Sequence, residues 1–355
     1  MEYTDRATDI RPGEELDAAR LEAFLKDSVS GLEGNLAVRQ FPSGHSNLTY
    51  LVTVGETEMV LRRPPFGTKA KSAHDMGREY KILSALQPVF PYVPKPLAYT
   101  EDDAVMGCPF YVMERINGII LRKDIPAGMN LEPSQVRRLF ERLAEVQFEL
   151  HSLDYKKIGL GDFGKPEGYV ERQVSGWSRR YRNARTPDAP DCEAVMEWLA
   201  AHMPPDSDRP GIIHNDFKFD NVVLAKDAPL KIIGVLDWEM ATVGDPLMDL
   251  GSTLGYWVEK DDPPEAQLMR TLPTDADGAM TRKEMVACYE KLSGRAIDHF
   301  DFYHCFGLFR LAVIAQQIYY RYYHGQTSDE RFKMLVFGVR MLEKAALRVI
   351  EASCR

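Results

Sequence analysis

No stretch of this chain approaches the 18 consecutive apolar residues that mark a membrane-spanning helix. Its five cysteines, Cys108, Cys192, Cys288, Cys305 and Cys354, form no C-x-x-C pair. An odd count without metal-ligand spacing argues against a disulfide framework and points to reduced thiols. Basic residues are also short: 44 Lys and Arg stand against 53 Asp and Glu, a net charge of −9. That balance speaks against a general nucleic-acid or membrane-surface binder, but leaves room for a local basic pocket. The opening MEYTDRATDIRPGEELD lacks the basic–apolar–small order of a secretion signal. No internal repeat or low-complexity segment is evident. The expectation is a cytoplasmic protein without nucleic-acid or membrane partners. Its 355 residues, 45% of them hydrophobic, suffice for one large domain or two.

What the chain does have is a polar motif. Residues 214–221 read His-Asn-Asp-Phe-Lys-Phe-Asp-Asn, and Asp237-Trp238-Glu239 follows 16 residues after Asn221. The spacing matches the protein-kinase catalytic loop and its later metal-binding aspartate. Val222–Leu224 and Ile232–Leu236 are short apolar runs around Ala225-Lys226-Asp227-Ala228-Pro229, which predicts a β-hairpin. A hairpin would return Asp237 to Asn221. Asn221 and Asp237 offer hard oxygen ligands of the kind Mg²⁺ prefers. Asp216 would accept the proton of an attacking hydroxyl or orient it. Lys218 would meet the γ-phosphate as a point charge.

A kinase makes demands upstream. Phe41 to Tyr50 leads into Leu51-Val52-Thr53-Val54 as strand, turn and strand. Only Gly44 is present where a kinase loop carries three glycines. Ser46, with Ser43 and Asn47, would supply donors to phosphate instead. Arg62, in Met59-Val60-Leu61-Arg62, stands where the strand lysine would be, and an arginine can grip phosphate bidentately. The following helix, expected over Ser72–Leu86, carries Glu79 as the partner of Arg62. Pro109 to Arg115 reads as a hinge strand, with backbone groups near Glu114 at the adenine edge and Met113 against its plane.

Downstream, Asp245 is expected to cap a helix beginning at Pro246, and Asp249 to anchor the catalytic loop. Ser134 is expected to cap a helix running to Leu153. The acidic segment Asp261–Gly278 is expected to be an irregular loop and a candidate lid. Two long helices, Phe300–Tyr323 and Arg331–Ile350, should close the chain. Residues 1–115 would form a nucleotide-binding lobe and 116–355 a helical lobe with the substrate site.

In this order, the residues resemble the aminoglycoside-phosphotransferase and choline-kinase branch of the protein-kinase-like fold. The carriers are Ser43-Gly44-His45-Ser46-Asn47, Arg62, Glu79, His214-Asn215-Asp216, Asn221, Asp237-Trp238-Glu239 and Gly244-Asp245-Pro246. VLRRPP, REYKIL, FYVMERINGI and GVLDWEMATVGDPLMDL are most similar to the kinase-like domain found alone in bacteria or joined to acyl-CoA dehydrogenases. The resemblance implies an α+β bilobal fold, with an antiparallel-sheet N-terminal lobe and a mainly helical C-terminal lobe. It implies ATP and Mg²⁺, and transfer of a phosphoryl group to a small-molecule hydroxyl, with hydroxyacyl-CoA as one acceptor. An amino alcohol, a sugar or an aminoglycoside is the alternative acceptor; a nucleotide- or acyl-CoA-binding module without transfer is the other alternative. Glu239 in place of the usual glycine leaves the number of metal ions open. For the acceptor pocket, Trp177, Arg180 and Tyr181, Tyr256 and Trp257, and the tyrosines from Tyr319 to Tyr323 are candidates. Arg172, Arg179, Arg180, Arg182 and Arg185 form a candidate basic cluster for a CoA phosphate.

Overall fold

The computed structural model describes residues 6–42, 47–65, 75–327 and 329–353. Gly44 and Ser46 lie outside them, as do Ser43, His45 and the expected helix start at Ser72. The chain divides into two compact units. One is Met1–Ile120 with Asn221–Met240; the other is Leu121–Asp220 with Ala241–Arg355.

The first unit opens with α1 (Ala18–Ser28), whose first turn is closed by Asp17 accepting the Arg20 amide. Then come β1 (Leu36–Gln40), β2 (Leu48–Val54), β3 (Thr57–Arg63), α2 (Met76–Leu86), β4 (Pro96–Thr100), a one-turn α3 (Asp103–Met106), β5 (Phe110–Glu114) and β6 (Ile119–Ile120). The five longer strands form an antiparallel sheet in the order β1-β2-β3-β5-β4. Strand side chains alternate between faces. Tyr50, Val52 and Val54 of β2, Met59 and Leu61 of β3, and Phe110 and Val112 of β5 therefore pack with Leu21 and Leu25 of α1 in one core. The residues between them face the other way. Arg62 pairs across the ladder with Tyr111 and Thr49, which puts Arg62 and Tyr111 on the face away from that core.

The chain continues into the second unit with α4 (Pro133–His151), α5 (Tyr169–Ala184), α6 (Glu193–Ala201) and β7 (Gly211–Ile213). It returns to the first for β8 (Val222–Leu224) and β9 (Ile232–Val235), the expected hairpin, with β6 on the outer side of β8. The second unit resumes with β10 (Thr242–Gly244), antiparallel to β7. It ends with α7 (Pro246–Leu254), α8 (Pro264–Met269), α9 (Arg282–Ser293), α10 (Phe300–Tyr323) and α11 (Leu335–Ser353). Its core joins Val174, Trp177 and Tyr181 of α5, Val195 and Leu199 of α6, and Phe302, Phe306, Phe309 and Val313 of α10. Helices α7 and α10 cross through glycine: a Cβ on Gly251 would run into the Tyr303 carbonyl, and one on Gly307 into that of Gly251. Among the described residues no helix is long and apolar enough to cross a membrane.

Two expectations are corrected. Helix α4 begins at Pro133, not after Ser134. Proline presets the first helical φ, and the Gln135 side chain accepts the Glu132 amide at 2.9 Å. The segment from Asp261 to Gly278 is not simply irregular. It contains α8, again started by a proline at its first position, and is pinned by ion pairs. Arg270 reaches Asp124 at 2.8 Å and Asp275 at 2.9 Å; Arg282 reaches Asp262 at 2.6 Å.

Candidate active site

In the first unit the charged groups gather around Arg62. Its guanidinium lies 3.3 Å from Glu79 on α2, 3.0 Å from Asp237 and 3.3 Å from Glu239. Glu79 is 2% exposed, so its charge needs partners at close range. It has three: Arg62, the Tyr111 hydroxyl at 2.7 Å and the Asn47 amide at 3.2 Å. Asn47 also donates to Glu239 at 2.8 Å. Burial opposes the charge of Arg62, but Glu79, Tyr111, Asp237 and Glu239 together push its pKa well above the ordinary value. Burial pushes Glu79 up, against Arg62 and Tyr111, which favour its ionised form. Within this cluster, Nε of Arg62 is buried with no hydrogen-bond partner among the described residues. A guanidinium with a spare N–H is suited to donate to a phosphate oxygen.

Asp237 has φ of 67°, a conformation that costs a non-glycine residue about 1–3 kcal/mol. The hairpin enforces it. The Leu236 amide donates to the Asn221 carbonyl at 2.8 Å, and Trp238 Nε1 to the Val235 carbonyl at 2.9 Å. Asn221 and Asp237 are thereby neighbours, as a shared metal would require. No cluster of three or more His, Cys, Asp or Glu side chains suited to a metal ion occurs among the described residues. A carboxylate and a carboxamide, completed by phosphate oxygens and water, is the donor set Mg²⁺ commonly takes. Met113 is buried within β5. The Glu114 amide donates to the Lys95 carbonyl at 2.8 Å, so that N–H is already committed.

In the second unit the loop after β7 carries Asp216. Lys218 Nζ lies 3.1 Å from Asp216 and 3.6 Å from Asp220. The Tyr256 hydroxyl donates to the other Asp216 oxygen at 3.0 Å. The Lys218 ammonium also stands 4.4 Å from the Tyr256 ring centre, in cation–π range. Burial works against the lysine charge, but Tyr256, Asp216 and Asp220 more than restore it and hold its pKa above the ordinary value. Lys218 therefore stays a cation at any physiological pH.

Backbone contacts hold that loop. Asp249 on α7 is fully buried and accepts the His214 amide at 2.9 Å and the Asn215 amide at 2.6 Å. His151 Nε2 meets the same carboxylate at 2.9 Å, and Tyr289 caps His151 Nδ1 at 2.7 Å. Burial opposes the Asp249 charge, yet His151 and the His214 amide hold its pKa below the usual carboxylate range. Asp245 caps α7 by accepting the Leu247 amide at 2.8 Å. Asp249 thus does structural work on the loop and Asp245 on the start of α7, as the sequence suggested.

Tyr256 also lines a cavity of about 780 Å³ within the second unit, walled by α8, α10, α11 and the segment after α7. Of the acceptor-pocket candidates, Tyr256 and Trp257 line it. Tyr181 is core, and Tyr319 is bonded to Asp188. The expected arginine cluster is largely engaged locally. Arg180 stacks 4.6 Å from the Trp177 ring, Arg182 pairs with Glu193, and Arg172 binds the Glu167 and Lys165 carbonyls. Sequence reasoning missed Tyr111, Asp220 and the double role of Tyr256. No local pattern marks Tyr111 or Tyr256, because their partners lie far away in sequence; Asp220 lies only two residues from its partner Lys218, inside the 214–221 motif itself.

An antiparallel sheet with a buried arginine–glutamate pair, a hairpin bearing an aspartate, and a helical unit with an anchored Asp–Lys loop together make up a protein-kinase-like fold. Residues 37–277 match the model of the phosphotransferase enzyme family, and the chain belongs to that family. Acyl-CoA dehydrogenase family member 10 of Mus musculus is 36% identical over 312 residues, covering 87% of this chain and 29% of that protein. Acyl-CoA dehydrogenase family member 11 of Homo sapiens is 32% identical over 356 residues, 96% of this chain and 44% of that protein. The chain spans less than half the length of the curated relatives it matches. A crystal structure from Ralstonia eutropha JMP134, provisionally assigned as an aminoglycoside phosphotransferase, superposes with a TM-score of 0.80 at 30% identity, covering 95% of this chain and 99% of that one.

Proposed function

We propose that the protein is an ATP- and Mg²⁺-dependent kinase that transfers the γ-phosphoryl group to a small-molecule hydroxyl, and that the acceptor is a hydroxyacyl-CoA. The observation that carries the reading is Asp216, held between the Tyr256 hydroxyl and the Lys218 ammonium on a loop anchored by Asp249. The acyl-CoA part leans on the names of the relatives and on the apolar cavity beside Tyr256.

The roles follow from the groups. Asp216 accepts the proton of the acceptor hydroxyl as its oxygen bonds to the γ-phosphorus, and ADP departs. Lys218 fixes the orientation of Asp216 and offers positive charge to the transferred group. Arg62, oriented by Glu79 and Tyr111, holds phosphate oxygens through its spare N–H. Asn221 and Asp237 would hold Mg²⁺, which supplies charge neutralisation of the phosphates when bound. Catalysis is then mainly positioning and electrostatics.

One observation favours a second reading. Arg62 sits directly on Asp237 at 3.0 Å, so a cation already occupies the carboxylate that a metal would need. A nucleotide- or acyl-CoA-binding module without transfer would keep this pair.

Phosphoryl transfer from Mg·ATP to a panel of hydroxyacyl-CoAs, choline and an aminoglycoside separates the two. Transfer to hydroxyacyl-CoA, reduced about a thousandfold by Asp216→Asn with ATP binding retained, is expected. ATP binding without transfer to any acceptor would favour the binding module.

A further inference from the structure

The cavity beside Tyr256 contains one feature that the kinase reading has not used. Its walls are mostly aliphatic, with Leu308 and Leu311 from α10, Leu335, Met341 and Leu342 from α11, and Met269 from α8. One imidazole, His304 of α10, lines it as well. The His304 ring makes no hydrogen bond to any described residue. Enclosure by the cavity walls, with Arg282 nearby, pushes its pKa down to about 3. The ring is therefore neutral, and carries one N–H donor and one acceptor nitrogen. The ring is half-buried at the cavity wall, and a cavity ligand with one polar atom would give it a hydrogen-bond partner. Among the remaining polar lining groups, Asp262 is committed to Arg282. Lys344 and Arg348 stand one helical turn apart, exposed at the cavity edge and without an ion-pair partner among the described residues. Glu265 and Asp301 are exposed there too.

We propose that this cavity receives the aliphatic chain of the acceptor, reaching from Tyr256 beside Asp216 toward Met269 and Gly338, and that His304 binds the oxygen of a polar group on that chain. The proposal rests on the kinase reading for the word acceptor, but not for the existence of the binding site. At about 780 Å³ the cavity lies within the range of small-molecule pockets. Gly338 is what keeps it open. A Cβ there would lie 2.7 Å from Met269 Cε, so any larger side chain on α11 presses Met269 and fills the space between α11 and α8. Chain length is then read by the walls, and position along the chain by His304.

Calorimetric titration of the whole protein with short-, medium- and long-chain hydroxyacyl-CoAs, and with the matching free hydroxy fatty acids, tests this directly. Affinity rising with chain length is expected in the wild type. Gly338→Leu should weaken long-chain binding at least tenfold more than short-chain binding, with Met269→Trp repeating the effect from the opposite wall. His304→Leu should raise KM or Kd about tenfold, the loss of about one hydrogen bond, with kcat little changed. His304→Gln, which keeps a donor, should recover part of the loss. Retained binding of the free acids would assign recognition to the chain alone; binding of the thioesters only would add Lys344 and Arg348 as the anionic contact. Chain-length-independent affinity in the wild type, or equal losses at all lengths in both wall variants with melting temperatures unchanged, would overturn the proposal. Because binding is the readout, absence of phosphoryl transfer would sink the kinase reading while leaving the chain site to stand or fall on the titrations.

Discussion

The Tyr256 hydroxyl donates a hydrogen bond to Asp216 at 3.0 Å, while the same ring faces the Lys218 ammonium and lines the large cavity of the helical unit. One side chain thus touches the proposed base, its cationic neighbour and the proposed acceptor space. Tyr256 itself stays protonated: burial, then the nearby Asp216 charge, hold its hydroxyl above the ordinary tyrosine value.

Tyr256→Phe separates these contacts. The ring, its cation–π contact and its cavity wall remain; only the donor to Asp216 is lost. A hydrogen bond to a charged group contributes about 1.5–3 kcal/mol. We expect kcat to fall about tenfold or more, with KM for ATP unchanged and the melting temperature within a few degrees of the wild type. Steady-state kinetics at saturating acceptor would check it. An unchanged kcat would remove Tyr256 from the orientation of Asp216.

Arg62 is the second test. It is 7% exposed and is the cation shared by Glu79, Asp237 and Glu239. Arg62→Ala would leave those carboxylates without their cation, and breaking a buried pair in this way costs about 3–5 kcal/mol. Arg62→Lys keeps the charge, but a single ammonium cannot reproduce the guanidinium fork. The lysine variant should fold and should bind nucleotide about tenfold more weakly, whereas the alanine variant should melt far earlier. Thermal melts beside a nucleotide titration distinguish them. If Arg62→Lys bound nucleotide as tightly as the wild type, the fork would have no role in holding phosphate.

These clusters show what a sequence can and cannot disclose. The hairpin from Val222 to Val235 was legible because turn formers and apolar runs are neighbours in the chain. The pairing of Arg62 with Glu79 was legible only through the order of elements. The Tyr111 hydroxyl on Glu79, Asn47 on Glu239 and Tyr256 on Asp216 join residues 32, 192 and 40 positions apart. Neither periodicity nor spacing encodes such contacts; the strand register and the loop path create them. The acidic segment after Asp261 misled for a related reason. Its prolines suggested disorder of shape, but Pro264 starts a helix, and Arg270 and Arg282 tie the charges down. The single histidine on the apolar helix α10 gave no signal at all until the cavity placed it.

Asp245 gives a prediction whose sign can be worked out. It is 2% exposed, and burial pushes its carboxyl up from 3.8 to about 6, despite the amides of Leu247 and Met248 and nearby His151, which favour the ionised form. In the folded protein the group holds a proton below about pH 6; in the unfolded chain it does so only below about pH 4. Between those values the folded state binds more protons, so this group's contribution to stability falls as pH rises and stays unfavourable above pH 6. The shift of about two units corresponds to about 3 kcal/mol at neutral pH. Asparagine caps a helix about as well as aspartate and carries no charge. Asp245→Asn should therefore be more stable than the wild type at pH 8, with the gap narrowing toward pH 4. Denaturant midpoints of both proteins across that range would measure it. A gap that is constant with pH would mean that the Asp245 carboxylate titrates alike in the folded and unfolded chains, and that the α7 cap tolerates its charge through the Leu247 and Met248 amides alone.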